Sequence, residues 1–230
     1  RDVTGVQTCA LPIWGGNMKE MELCETLLQM TKTAIEWNMV TGTNGNFSIK
    51  DKDSGVIYIT PTRLDYRIMQ PEDIVRVYPD EHAEGTREPS NEWRLHKKIY
   101  EQIPDVRAIA HTHSPYATAF AALNMSIPAV LTETVMAFGG RIHVAQFALP
   151  GTEELGVAAV EHLREQNVCL LAHHGVVAVG ADAFEALETA MNVEIAAQST
   201  HLALQIAQPK TLPHDAQTWL KNKYRENRKK

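Results

Sequence analysis

The run Ile109-Ala110-His111-Thr112-His113 places two imidazoles two residues apart at the close of an apolar segment. Val106, Ile109 and Ala110 read as a short buried strand, and residues i and i+2 of a strand point to the same face. Two ligands of one metal ion must be presented side by side in just this way. Ser114-Pro115 follows directly, the pattern of a helix N-cap with proline in the first turn. The histidines therefore stand where a strand ends and a helix begins, a common location for chemistry in α/β domains.

A third imidazole comes from a second apolar strand, Val168 to Ala172, which runs into His173-His174-Gly175. Catalytic zinc is commonly held by three protein ligands with an open fourth position. His111, His113 and His174 meet that count, with His174 the better ligand and His173 the better packing or supporting residue. Gly175 is expected to let the backbone turn sharply. Either motif alone is explained as readily by core or surface histidines; their shared position at the ends of apolar strands points to a metal.

Glu92 opens a helix within Ser90-Asn91-Glu92-Trp93-Arg94-Leu95-His96. The helix dipole alone favours a carboxylate in the first turn, whereas beside a metal the same group could serve as a general base. Thr43, Asn46, Thr62 and Ser90 are hydroxyl and amide groups in turns or at a cap, and together with exposed backbone N–H groups could cradle a phosphate. Neither the P-loop glycine motif nor GxGxxG is present, so a nucleotide is not indicated.

Alternating elements must position these groups. The pattern predicts an amphipathic helix over 18–38, a turn-rich loop over 41–46, and hairpin strands at 47–50 and 56–60. A short helical piece at 65–69, a strand at 74–78 and a polar loop over 79–89 follow. Ser90 is expected to cap a helix running to about Gln102. A strand at 105–111 and a helix at 115–123 come next. Pro128 to Val144 reads as two short strands separated by Gly139-Gly140. A helix at 152–166, strands at 168–172 and 176–179, and helices at 181–207 and 215 to about 225 complete the chain. Without repeats or a low-complexity linker, this is expected to be one α/β domain.

The chain has 230 residues, 44% hydrophobic and 22% charged, which suits a globular protein with a real core. A net charge of −6 argues against a nucleic-acid surface, and the basic run Arg225 to Lys230 reads as a solvated tail. No apolar run approaches the roughly 20 residues of a membrane span. Cys9, Cys24 and Cys169 show neither CxxC spacing nor an even framework, which favours a reducing cytoplasm. Val3 to Ile13 resembles the conceptual translation of a sequencing-library adapter. Residues 1–17 are therefore expected to be a non-native or disordered leader, with the natural start at Met18 or Met21 and the domain spanning 18–230.

Five motifs in order carry a resemblance. They are Gly42-Thr43-Asn44-Gly45-Asn46-Phe47-Ser48, Ile59-Thr60-Pro61-Thr62, Ser90 to His96, His111-Thr112-His113 and His173-His174-Gly175. Together they are similar to the class II aldolase/adducin family over about Met18 to Tyr224, and resemble its bacterial L-fuculose-1-phosphate aldolases in particular. The resemblance implies a three-layer α/β/α sandwich with a mainly antiparallel central sheet, assembled as a homotetramer with sites at subunit interfaces. It implies that His111, His113 and His174 ligate zinc and that Glu92 caps the metal and then serves as base. Asn46, Thr62 and Ser90, with Thr43 beside them, match the phosphate-binding positions. The implied reaction is retro-aldol cleavage of a ketose 1-phosphate to dihydroxyacetone phosphate and an aldehyde. Sister activities are sugar-phosphate 4-epimerase and dehydratase, and adducin-type relatives, which lack the histidines, use the fold for non-enzymatic interaction.

The chain departs from the aldolase pattern near the pocket. Arg63 stands where the aldolase has glycine, and Asn91 where it has a second serine. Pro128 to Gly139 is about one residue longer, leaving the proton-donating tyrosine without a clear partner. Met136 falls near the epimerase's catalytic aspartate. Glu133 could replace either as an acid/base group or be merely solvated, and a C-terminal aromatic, with Tyr224 the candidate, is expected to reach a neighbour's site.

Overall fold

Val168–Leu171 and Gly175–Gly180 carry no charged side chain and are buried along their whole length, so the sheet they join must be covered on both faces. The computed structural model describes residues 18–227; the expected leader, residues 1–17, lies outside them. In chain order the elements are α1 (Met18–Glu36), β1 (Asn46–Lys50), β2 (Ile57–Ile59), β3 (Val75–Val77), β4 (Ala83–Glu84), α2 (Trp93–Gln102), β5 (Ala108–Thr112) and α3 (Pro115–Ala122). There follow α4 (Thr132–Phe138), β6 (Val144–Ala145), α5 (Glu153–Leu163), β7 (Val168–Leu171), β8 (Gly175–Gly180), α6 (Ala183–Ile206) and α7 (His214–Asn227).

The strands form one sheet in the order β4-β3-β2-β1-β5-β8-β7-β6. All neighbours are antiparallel except β6 and β7. Alternation along each strand divides the core. Phe47, Ile49, Ala110, Leu170 and Val176 pack with α1, α3 and α6. Ile59, Ile109, Cys169, Leu171 and Val177 pack on the opposite face with α2 and α5. The result is the expected α/β/α sandwich around a mostly antiparallel sheet.

Local chemistry explains where the expected elements shift. Residues 128–144 do not form two strands: residues 132–138 are helix α4, followed by the short β6. Gly139, read as a strand break, is the left-handed C-cap of that helix, with φ of 74° and its N–H donated to the Val135 carbonyl. Residues 65–69 form turns rather than a helical piece, because the Asp65 carboxylate accepts the backbone N–H of Arg67 at 2.9 Å and competes with helical bonding. The loop over 79–89 contains β4. Ser90 precedes the start of α2 instead of capping it; Glu92 occupies that position, and Ser90 Oγ accepts the Glu92 N–H at 3.3 Å. Residues 225–227, expected in the tail, extend α7.

Ser114 does begin α3, but its side chain makes no capping hydrogen bond. The Glu194 carboxylate, projecting from α6, accepts the N–H groups of Tyr116 and Ala117 at 2.9 and 2.8 Å. A capping acceptor of this kind contributes about 1 kcal/mol. Glu194→Ala should therefore lower stability by about 1 kcal/mol, whereas Ser114→Ala, which removes a buried hydroxyl without a partner among the described residues, should be nearly neutral. Chemical denaturation midpoints of the two variants check this.

Candidate metal centre

The register of the sheet brings the site together. β1 and β5 pair Asn46 with His111, so both side chains rise from the same face. His111 lies one residue before the end of β5, His113 just beyond that end, and His174 in the turn between β7 and β8. The three ring centroids are 4.8 to 5.0 Å apart, and the rings meet at 68° to 84°. One nitrogen from each ring lies within 4.8 Å of the others. The Nε2 atoms of His111 and His113 are 3.1 Å apart, close to the roughly 3.4 Å that two nitrogens about 2.1 Å from a tetrahedral zinc would span. His111 Nδ1 lies 2.8 Å from the Val176 carbonyl. A carbonyl only accepts, so Nδ1 carries a proton, and the neutral form of the ring that a metal requires turns a bare Nε2 inward. These donors fit a divalent metal.

Two glycines make room for this arrangement. A Cβ on Gly45, which has φ of +74°, would lie 2.5 Å from the His111 carbonyl. One on Gly175 would lie 2.5 Å from the Thr112 carbonyl and 2.9 Å from His113 Cδ2. The sharp turn expected at Gly175 is instead made at His173, whose φ is +57°. Glycine follows because no side chain fits behind the imidazoles. His173 itself points outward, with its ring edge toward Phe147.

Glu92 leans over the triad. Its Oε2 is 3.1 Å from His111 Nε2, and its Oε1 is 3.5 Å from His174 Nε2. Oε2 also accepts the Asn46 amide N–H at 2.8 Å. Oε1 and His174 Nδ1 are buried without a hydrogen-bond partner among the described residues. Burial opposes charge on Glu92, but His111, His174 and the Asn46 donor outweigh it and hold the carboxyl well below the usual carboxylate range. Burial likewise opposes charge on His111, and Glu92 outweighs it, raising His111. Burial and the neighbouring imidazoles push His113 down to about 3 and His174 to about 4.

Behind Glu92, Asn46 leads to three residues to which the sequence assigned no role: His96, Ser48 and Tyr100. Asn46 Oδ1 meets His96 Nε2 at 2.5 Å, and His96 Nδ1 meets Ser48 Oγ at 2.6 Å. Ser48 Oγ lies 2.8 Å from the Tyr100 hydroxyl. The signal was available in the spacing. Asn46 and Ser48 are i, i+2 on a strand, and Glu92, His96 and Tyr100 are i, i+4, i+8 at the start of and along a helix.

The other sequence candidates divide. Thr62 and Ser90 are held near one another, since Ser90 N–H donates to the Thr60 carbonyl and Thr62 N–H to the Glu88 carbonyl, both at 3.1 Å. Ser90 is buried and Thr62 half-buried, while Thr43, Arg63 and Asn91 are exposed. Arg63 has φ of +58°, the region where the aldolase pattern has glycine. Glu133 lies on the exposed first turn of α4, accepting from Thr132 Oγ1 at 2.8 Å. Tyr224 is buried in its own chain against Gly139. It lines a cavity of about 900 Å³ between α4, α5 and α7, which contains none of the triad. Because the convergent imidazoles and carboxylate lie elsewhere, that cavity is not the candidate centre.

Two outcomes follow from this geometry. Gly175→Ala should displace the triad and weaken metal binding about 10- to 100-fold, the usual effect of disturbing a ligand's immediate support; competition with a chromogenic chelator measures it. The pH dependence follows from the neutral rings. His96, His113 and His174 are depressed in the folded protein and take up protons near about 6.5 when unfolded. Stability of the metal-free protein should thus fall as pH drops from about 6.5 to about 4. Glu92 acts in the same direction at lower pH, whereas the share from the raised His111 is lost as pH rises. Thermal midpoints across that window test the sign.

The Class II Aldolase and Adducin N-terminal domain family matches residues 25–201. The chain is 38% identical over 189 residues to the 5-methylthioribulose-1-phosphate/5-deoxyribulose-1-phosphate aldolase of Rhodospirillum rubrum, covering 82% of this chain and 85% of that one. It is 34% identical over 193 residues to the L-fuculose phosphate aldolase of Escherichia coli K12, covering 84% and 87%. A solved structure of L-fuculose 1-phosphate aldolase superposes with a TM-score of 0.83 at 31% identity, over 89% of this chain and 96% of that one. With the sandwich fold and the three converging histidines, these matches place the chain in the class II aldolase and adducin family.

Proposed function

We propose that the protein is a zinc-dependent aldolase that cleaves a ketose 1-phosphate reversibly to dihydroxyacetone phosphate and an aldehyde. The observation that carries this reading is the convergence of His111, His113 and His174 beneath the Glu92 carboxylate. Three imidazoles and no thiolate suit a catalytic zinc better than a structural one; among the described residues, Cys24 and Cys169 are buried apart from them in the two core layers. His111, His113 and His174 would hold the ion, with Glu92 beside them as a fourth group. When bound, the metal supplies Lewis-acid polarisation of the substrate carbonyl.

The chain's own residues would do the rest. Thr43, Thr62 and Ser90 bind the phosphate, with the exposed Arg63 and Asn91 at its margin, and so orient the ketose, while Asn46, matched to the same set by resemblance, is engaged by Glu92 and His96. Loss of the C4 hydroxyl proton lets the C3–C4 bond break, releasing the aldehyde and leaving an enediolate. Glu92, having taken up a proton from solvent, then delivers it to C3 to give dihydroxyacetone phosphate, and in the reverse direction takes that proton away. We assign the C4 proton to Glu133 of an adjoining subunit, in a cytoplasmic homotetramer of single domains spanning 18–230. Exposed large apolar side chains such as Phe147, Phe184, Ile206 and Trp219 support burial against other copies. Among the described residues no helix is long and apolar enough to cross a membrane.

The relatives' names give the substrates for the first screen: L-fuculose 1-phosphate, 5-deoxyribulose 1-phosphate and 5-methylthioribulose 1-phosphate. Release of dihydroxyacetone phosphate from at least one is expected; epimer or dehydrated product without it would favour the sister activities. Glu92→Gln keeps size and hydrogen bonding but cannot take a proton. It should lower kcat by about 10² to 10⁴-fold with metal retained, whereas replacing all three histidines by alanine should abolish metal binding. Normal turnover in the Gln variant would remove Glu92 from the reaction.

A further inference from the structure

We propose that His96 is a positioning residue for Glu92, acting through the orientation of the Asn46 carboxamide. The inference rests on the reading of Glu92 as the proton-transfer group.

The geometry is a zipper between one strand and one helix. Asn46, Ser48 and Lys50 lie on the same face of β1, and Glu92, His96 and Tyr100 lie along one face of α2 and its first residue. Asn46 meets Glu92 and His96, Ser48 meets His96 and Tyr100, and Lys50 Nζ donates to the Tyr100 carbonyl. His96 and Ser48 are completely buried, and Asn46 and Tyr100 nearly so, so each proton must be placed within the chain of contacts.

With Glu92 ionised, the assignment has one solution. The carboxylate accepts, so the Asn46 nitrogen faces it and donates. The Asn46 oxygen then faces His96 Nε2, which must carry the proton. Burial keeps the His96 ring neutral, with a pKa lowered to about 3, so Nδ1 is bare and Ser48 Oγ donates to it. The Tyr100 hydroxyl closes the chain, lying 2.8 Å from Ser48 Oγ and donating to the Ser48 carbonyl at 3.0 Å. The three hydrogen bonds from Ser48 to His96, His96 to Asn46 and Asn46 to Glu92 therefore point toward Glu92, and aligned bonds reinforce one another. The opposite tautomer would present a bare Nε2 to the Asn46 oxygen or turn that oxygen against the carboxylate, leaving two acceptors facing without a proton between them. The His96 tautomer thus decides which end of Asn46 holds Glu92 over the triad.

A residue that merely filled the gap between α2 and the sheet would be replaced well by another ring of similar size. A positioning residue would not. His96→Phe fills the space but donates nothing; His96→Gln can donate to Asn46 from near the Nε2 position. Both are measured as full-length protein in steady-state cleavage of whichever of the three ketose 1-phosphates turns over, alongside thermal midpoint and metal content. The expected result for His96→Phe is a kcat about 10- to 100-fold lower, the range typical of lost outer support at a site. KM should change less than about threefold and metal should stay stoichiometric, and His96→Gln should recover most of kcat. Should His96→Phe fail to fold, Ser48→Ala, which removes the donor that fixes the tautomer, reads the same effect as a fall in kcat at constant KM. Wild-type kcat in folded His96→Phe, an equal change in kcat and KM, no rescue by His96→Gln, or, in the fallback, wild-type kcat in Ser48→Ala would each overturn the proposal. Glu92→Gln in the same assay separates the two claims: its normal turnover removes the role of Glu92 itself, while its loss alongside an unaffected His96→Phe removes only the chain behind it.

Discussion

A carboxylate buried to 7% exposure is the constraint around which the site is arranged. An uncompensated charge at such depth costs several kcal/mol, so Glu92 must be surrounded by donors or a cation. The fold supplies the Asn46 amide at 2.8 Å and the His111 and His174 nitrogens at 3.1 and 3.5 Å. Of the imidazoles, only His111 is drawn toward carrying a proton, while burial keeps His113 and His174 neutral. In their neutral forms the three rings, with inward lone pairs, and the adjacent anion form a set of donors complementary to a divalent cation. The protons and charges that compensate Glu92 in this chain are those a bound metal would displace, which couples metal affinity to pH.

This electrostatic arrangement depends on backbone proximity more than on any side-chain pair. The Asn46–His111 register sets the helper amide opposite the first ligand. Slipping β1 by one residue would turn Asn46 and Ser48 to the other face of the sheet. Gly45 and Gly175 let the chain pass within van der Waals distance of the triad's own backbone. The Val176 carbonyl fixes the His111 tautomer from β8, and Asn46 and His96 orient Glu92 from β1 and α2. Three strands and one helix thus share one small volume, and none of them alone carries a site.

Much of this was legible in the sequence, and the failures have physical causes. The His-x-His spacing and the apolar runs before both histidine motifs identified the triad, because strand periodicity and burial are local signals. His174 over His173 could be chosen, but the turn was assigned to Gly175, since glycine's two uses, positive φ and close approach, look alike in a sequence. Gly139 was misread for a related reason: a glycine ending a helix resembles one between strands until Val135 and Phe138 are seen to be buried three residues apart. Glu194 as the cap of α3 was invisible, because the carboxylate lies about 80 residues away in sequence. The His96 chain was encoded in i, i+2 and i, i+4 spacings, yet pairing those faces required the sheet register, which is a long-range property. The roles of Arg63, Asn91, Glu133 and Tyr224 depended on resemblance and on neighbouring subunits, so the fold of one chain leaves them at its surface or in its own core.

On the proposed reading, cleavage occurs at a metal held by His111, His113 and His174. The most direct test of that reading is to strip the purified protein with a chelator, remove the chelator, and measure dihydroxyacetone phosphate release from 5-deoxyribulose 1-phosphate, L-fuculose 1-phosphate and 5-methylthioribulose 1-phosphate while zinc is titrated back. Release from the accepted substrate is expected to disappear in the stripped protein and to return linearly, saturating at one zinc per chain. Undiminished release from protein shown to be metal-free would contradict the reading.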